Sequence, residues 1–335
     1  MKNKVGNFFL RMLKGAGIGI SMIIPGLSAG TVSILLKIHE GIINAVTNLF
    51  KKFKSSFLYL LPILLGAAIG FLGLAKPIKF GLSEFPLITV TLFVGLVIGG
   101  LPSMIKAVKD KFSVKNLTIS ILFVGVIVGI CFLVGLYIVD ISTLNVGTWL
   151  YLMLAGFVAG SALVISGISG SMSLMVLGVY DALITIVSDL ESALVGHDHI
   201  YDIGSSILYL IPVFIGIVLS FIIMSFVMKF FLSKFPVETS FAVIGLTVGS
   251  IGAMYFLTFK NYIFLDGGKG PEYHLQWFMI VIAVLVLIIG FLATYFMEKL
   301  SAKKELETLK NNQEVNIETS DNNKMGDITE KREEN

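Results

Sequence analysis

Apolar runs long enough to cross a bilayer alternate with short polar loops along most of this chain, and two of the runs are interrupted in the same way. The first, residues 15–46, holds Pro25, Gly26, Ser28, Gly30 and Thr31 within SMIIPGLSAGT and stops at Lys51, Lys52 and Lys54. It predicts two half-length helices meeting at a loop, each covering about half of a ~30 Å hydrocarbon slab at 1.5 Å of rise per residue. Uninterrupted spans follow at 57–74, 87–105 and 117–139. The second half replays the order, with a broken run at 149–187 containing SALVISGISGS, then spans at 207–228, 241–259 and 277–297. In hydrocarbon a broken helix survives only where protein or a water-filled cavity satisfies its free N–H and C=O groups. Two breaks in matching halves point to a binding site.

The replay holds residue by residue. Gly26 falls on Gly167 and Ser28 on Ser169, an offset of 141. LYLLPILLG from Leu58 matches LYLIPVFIG from Leu208, an offset of 150 that continues through Lys79 and Lys229, Ser83 and Ser233, Pro86 and Pro236, and Gly95 and Gly245. The longer offset fits a polar insert, GHDHIYDIG, at 196–204. A hairpin contributes an even number of crossings and three further spans make each half odd, so the second half should be inverted relative to the first. The expected fold is an all-α polytopic membrane protein built as an inverted repeat, each half a broken or re-entrant hairpin plus three transmembrane helices. Its divisions are 1–145, 146–300, and a polar tail at 301–335 that is expected to be disordered and cytoplasmic.

Composition agrees with the pattern. The 335 residues are 56% hydrophobic and 14% charged, with a mean hydropathy of +0.90, which excludes an ordinary water-soluble globule. The net charge of +3 implies no nucleic-acid partner. With the N-terminus inside, the loops around Lys51 and Lys106, the Lys229 to Lys234 loop, and Lys299, Lys303 and Lys304 all fall on the cytoplasmic side. The loops holding Asp140 and Asp189 to Asp202 fall outside without Lys or Arg, while Lys76, Lys79, Lys260 and Lys269 run against the trend. Lys2, Lys4, Arg11 and Lys14 precede an apolar stretch with no clear cleavage site and read as a retained juxtamembrane start. The single cysteine, Cys131, lies in an apolar run and reads as a core residue.

The candidate chemistry lies at the two breaks. The second half of a broken helix presents backbone N–H groups at its positive end, which favours an anion. Gly26, Gly30, Gly167 and Gly170 let a ligand approach the backbone, and Ser28, Thr31, Ser166, Ser169, Ser171 and Ser173 offer hydroxyls. Such a pair of tips suits a phosphate; the same small residues also suit close helix packing. Glu40 and Asp181 recur at the offset of 141 and are candidates for proton coupling or charge balance, or else solvated helix ends. Lys37 and His39 offer a cation for a head group and a proton acceptor near neutral pH, or else reach for the surface. His197, Asp198, His199 and Asp202 form either a metal-binding or a plain solvated loop. No HExxH, Cys-rich metal motif or P-loop is present, nor a second histidine after SGISGSM of the acid-phosphatase type, and no enzyme, metal or cofactor is expected.

The two tips resemble the PopT-type polyprenyl phosphate translocases, a bacterial family first catalogued as an uncharacterised membrane domain. IPGLSAGT at 24–31 followed by KIHE at 37–40 is similar to that family's IPGVSGGT and GIYE, and SGISGS at 166–171 followed by GVYD at 178–181 is similar to its PGISGS and GxYD. Ala29, Lys37 and His39 stand in place of Gly, Gly and Tyr, and Ser166 in place of Pro. The resemblance covers residues 15–297. It implies a flippase of the bacterial cytoplasmic membrane that returns undecaprenyl phosphate from the outer to the inner leaflet for cell-wall polymer synthesis; the lysine pattern puts both termini on the cytoplasmic side. The partners expected are membrane lipid, the polyprenyl phosphate itself and protons as a coupling ion. The alternative is a transporter or channel for a small anion such as phosphate or sulfate.

Overall fold

The computed structural model describes residues 2–48, 51–136, 145–164, 170–196, 203–263 and 277–333, and all regular structure in them is helical. The first half runs α1 (Lys2–Ile23), α2 (Ala29–Leu35), α3 (His39–Thr47), α4 (Phe53–Glu84), α5 (Pro86–Ala107) and α6 (Val114–Leu136). The second runs α7 (Val146–Val164), α8 (Gly170–Val176), α9 (Tyr180–Val195), α10 (Ile203–Lys234), α11 (Pro236–Ile263) and α12 (Trp277–Glu333). Two sets of six match in order; α2 and α8 have 7 residues each and α4 and α10 have 32 each, whereas α9 and α12 are longer than α3 and α6. α12 carries on through the polar stretch after residue 300 that is expected to be disordered. Among the described residues six helices (α4, α5, α6, α10, α11 and α12) are long and apolar enough to cross a membrane, and the chain is a multi-pass membrane protein. Apolar side chains such as Leu64, Ile69, Phe214, Phe226 and Ile289 stand exposed on its outer surface, as lipid-facing positions should.

The broken runs differ from two half-helices meeting at a loop. In the first half, α1 is a single helix of 22 residues, and the return arm is itself broken into α2 and α3. The second half does the same, α8 and α9 meeting at a bend of 119°. Both return-arm breaks have one cause. Lys37 and Gly178, 141 positions apart, adopt left-handed backbone, φ 56° and 68°. At each, two backbone bonds close the preceding helix: Lys37 N–H to Ile34 and Ile38 N–H to Ser33, then Gly178 N–H to Met175 and Val179 N–H to Leu174. This is the glycine-type helix stop in which a left-handed residue lets the chain bond back to open carbonyls. Sequence inspection marked Lys37 for its charge and missed its backbone.

Glycines set how the long helices pair. A Cβ at Gly15 would strike the Ile63 carbonyl, one at Gly19 the Ala67 carbonyl, and one at Gly70 the Ala16 carbonyl. Facing positions rise together, so α1 and α4 lie side by side and parallel. α7 and α10 repeat the contact, with Gly156 on Val213, Gly160 on Ile217 and Gly216 on Met153. Close approach at small residues is how helices associate where the solvent is itself apolar. Because α1 and α4 are parallel, α2 and α3 bring the chain back to the end from which α1 began.

The remaining pairs cross between halves. Gly95 and Gly99 of α5 sit on Leu287 and Phe291 of α12, while Gly245 and Gly249 of α11 sit on Ser120 and Val124 of α6. Both pairs are again parallel. Pro86 and Pro236 begin α5 and α11 with a single residue between them and the ends of α4 and α10, as proline's fixed φ and missing N–H allow at a helix start. The largest buried cluster joins both hairpins to α5, bringing together Ile23, Phe93, Val94, Leu96, Val97, Met172, Met175, Tyr180 and Ile184.

Candidate functional site

The first tip is the turn between α1 and α2. Pro25 is buried, and Gly26 turns the chain at φ 90° with no room for a side chain, since a Cβ there would meet Val97 N and Leu96 at under 3 Å. The tip is thereby seated on α5. Ser28 caps α2, its Oγ accepting from Thr31 N–H at 3.4 Å, which satisfies one of the open donors of a helix start. Gly30 is exposed and Thr31 half-buried. Thr31 donates its hydroxyl to Glu298 Oε1 of α12 at 2.8 Å, and Lys304 Nζ, farther along α12, donates to the Leu35 carbonyl at 2.7 Å. Ser33 donates to the Gly30 carbonyl at 2.7 Å and shares a 2.8 Å hydrogen bond with His39 Nδ1.

At the second tip, Ser166, Gly167 and Ser169 lie outside the described residues. Gly170 opens α8 with its Cα close to Ala159 of α7, and Ser171 is buried. Met172 and Met175 face α11, where Ser250 Oγ lies 3.1 Å from the Met172 sulfur. The α8 end is closed by Tyr151, whose hydroxyl donates to the Leu177 carbonyl at 2.6 Å. The two hairpins touch directly where Tyr180, the first residue of α9, donates its buried hydroxyl to the Ile23 carbonyl at the end of α1, 2.6 Å away.

Residues 18–269, a stretch that spans both broken motifs, match the family described as undecaprenyl phosphate translocase-like. The chain belongs to that family. It is similar to the polyprenyl-phosphate transporter of Staphylococcus aureus, 28% identical over 308 residues, which cover 89% of this chain and 98% of the relative. It is also similar to the polyprenyl-phosphate transporter of Vibrio cholerae, 25% identical over 194 residues, which cover 54% of this chain and 60% of that one. No solved structure matches. These descriptions are of transport and not of a reaction, in line with the expectation that the chain is no enzyme.

Among the charged candidates, Lys37, His39 and Glu40 share the first return arm, and Asp181 stands at the matching place in the second. Lys37, Glu40 and Asp181 are exposed, and the two acids stand in the first turns of α3 and α9. His39 is tied back to Ser33 of its own hairpin, while its repeat counterpart Tyr180 reaches across to α1. Among the described residues no three His, Cys, Asp or Glu side chains gather as a metal site would need; His197, Asp198, His199 and Asp202 lie outside them.

Sequence reading missed two groups. Glu298 is the first charge after the uncharged stretch 277–297 and looks like a span end; only the fold brings it to Thr31. Lys76 and Lys79, outliers of the charge pattern, pair with α9. Lys79 Nζ lies 3.2 Å from Asp189 Oδ1 and Lys76 Nζ 3.4 Å from Glu191 Oε1. Asp189 is 4% exposed, and its Oδ2 and the Glu191 Oε2 have no hydrogen-bond partner. In the repeat these acids correspond to Asn48 and Phe50, so the ion pairs have no counterpart there.

Proposed function

We propose that this chain translocates a polyprenyl phosphate, undecaprenyl phosphate of the bacterial cytoplasmic membrane, from outer to inner leaflet for reuse in cell-wall polymer synthesis. Its two hairpin tips would hold the phosphate while the polyprenyl tail stays in lipid. The observation that carries the reading is the family match, which runs through both broken motifs, together with two relatives named as polyprenyl-phosphate transporters. Moving a phosphate through hydrocarbon costs many kcal/mol unless donors replace its water. Pro25, Gly26, Ser28, Gly30 and Thr31 with Ser166, Gly167, Ser169, Gly170 and Ser171 are assigned that role.

An inverted repeat, needed for alternating access about a central site, is supported by helix directions. The short connection at 108–113 cannot cross a bilayer, so α6 starts on the side where α5 ends. Since α11 runs with α6, it opposes its counterpart α5. Re-entrant hairpins are supported by the parallel α1 and α4. Cytoplasmic termini are supported by the lysine loops, and Lys76 and Lys79 weigh little against them once neutralised by Glu191 and Asp189.

The test is reconstitution of the full chain in vesicles with labelled polyprenyl phosphate. Movement of the labelled lipid between leaflets without flux of inorganic phosphate is the expected result; ion flux without lipid movement would replace this reading with the small-anion transporter. Glu40 and Asp181 are assigned to proton coupling. Glu40→Gln should then shift the pH dependence of transport, and an unchanged profile removes that assignment.

A further inference from the structure

The hydroxyl that the reading above gives to a lipid phosphate is held here by an anion of the protein itself. Thr31 donates to Glu298 at 2.8 Å, and Lys304 holds the far end of α2 at 2.7 Å, so α12 grips α2 at both ends. Among the described residues the other half lacks the carboxylate of this clamp. Matching Leu287 to Ser120 and Phe291 to Val124 through their glycine contacts sets Glu298 opposite Cys131. That residue is buried with Val176 and Ala253 in an apolar cluster, and Thr31 corresponds to Met172. The carboxylate at the tip is therefore a feature of one half only. Of the helices packed on α12, α2 carries no charged residue and α5 only Lys106; the following turns of α12 add Lys299, Lys303, Lys304, Glu305 and Glu307, with Lys304 committed to Leu35 and Lys303 4.0 Å from Glu307.

We propose that Glu298 is a built-in competitor for the head-group site: its carboxylate holds the Thr31 hydroxyl when no lipid phosphate does, and must release it for a polyprenyl phosphate to bind. The inference rests on the tips being the phosphate site. A threonine hydroxyl donates one hydrogen bond, and two anions converging on one donor repel strongly in a partly dry site. The competition also serves release, because a carrier whose donors are satisfied only by cargo would hold it, whereas one that can hand them to Glu298 lets it go.

The test is binding of labelled polyprenyl phosphate to the purified full chain in nanodiscs, with uncharged polyprenol as control. Glu298→Gln keeps an oxygen for Thr31 and removes the charge. It should bind the phosphate about tenfold tighter or more, which corresponds to roughly 1.4 kcal/mol, and polyprenol unchanged. Equal or weaker phosphate binding, with Thr31→Val still weakening it, would overturn the competitor and leave the tip reading standing. If neither Thr31→Val nor Ser28→Ala affects phosphate binding, the tip reading fails and the competitor with it. Should Glu298→Gln not fold, infrared difference spectra of the wild type with labelled glutamate decide. Polyprenyl phosphate should shift a carboxylate band that Thr31→Val also alters, and no such shift overturns the proposal.

Discussion

Lys37 holds a left-handed backbone that a side chain with a Cβ occupies at a cost of about 1 kcal/mol or more, and at the equivalent place the other half uses Gly178. Lys37→Gly should raise the thermal unfolding midpoint of the purified protein by an amount equivalent to about 1 kcal/mol. Gly178→Lys should lower it by a similar amount. Gly26 is stricter, since it combines φ 90° with backbone of α5 where a Cβ would go. Gly26→Ala should therefore unseat the first tip and abolish lipid transport in vesicles, with the loss visible as new protease cleavage near the tip. The glycines and hydroxyls of both tips were legible because the repeat flags them twice. Glu298 was not, because nothing local distinguishes it from the ordinary charged end of a span.

At the level of elements, four glycine-lined helix pairs and the ion-paired contact of α4 with α9 organise the bundle. The α1–α4 pair depends on backbones touching, so Gly66→Leu, which would drive a side chain into the Met12 carbonyl, should sharply reduce the monodisperse fraction on size-exclusion chromatography. Between α4 and α9, Lys79–Asp189 is the more buried pair, at 34% and 6% side-chain exposure. Asp189→Ala should cost about 2–3 kcal/mol by thermal unfolding, below the roughly 3–5 kcal/mol of a fully buried pair because part of Lys79 is open. The exchange Lys79→Asp with Asp189→Lys should recover part of that loss. Lys76→Ala, breaking a more open pair, should cost no more than about 1 kcal/mol. The sequence exposed the lysines only as exceptions to a charge rule; their partners come from a helix more than a hundred residues away, which no local pattern reports.

For the whole molecule, the two halves share an element order without sharing every contact. α9 packs on both α10 and α4, whereas its counterpart α3 packs on α4 and has no comparable contact with α10 among the described residues. α2 packs along α12 far more than α8 does along α6. Such inequality between like elements is what a carrier caught on one side of its cycle would present. The hydroxyl of Tyr180 ties the hairpins together at Ile23. Tyr180→Phe leaves that buried carbonyl without its side-chain partner and should cost about 1–2 kcal/mol of stability, with transport in vesicles changed in rate more than in lipid affinity.

By itself the sequence determined the class, the repeat of motifs and the places of the six membrane-spanning helices, and it marked the two interrupted stretches. Those features follow from hydropathy and from residues such as Pro, Gly and Ser, whose backbone preferences act locally and whose recurrence at fixed offsets needs no coordinates to see. The tertiary structure decided the break within each return arm, the partners of Lys76 and Lys79, the contact of Tyr180 with α1 and the seat of Glu298 against Thr31. Each of these depends on which helices lie beside one another, and in an apolar solvent that choice is made by close contact at small residues and by a few polar bonds between distant positions.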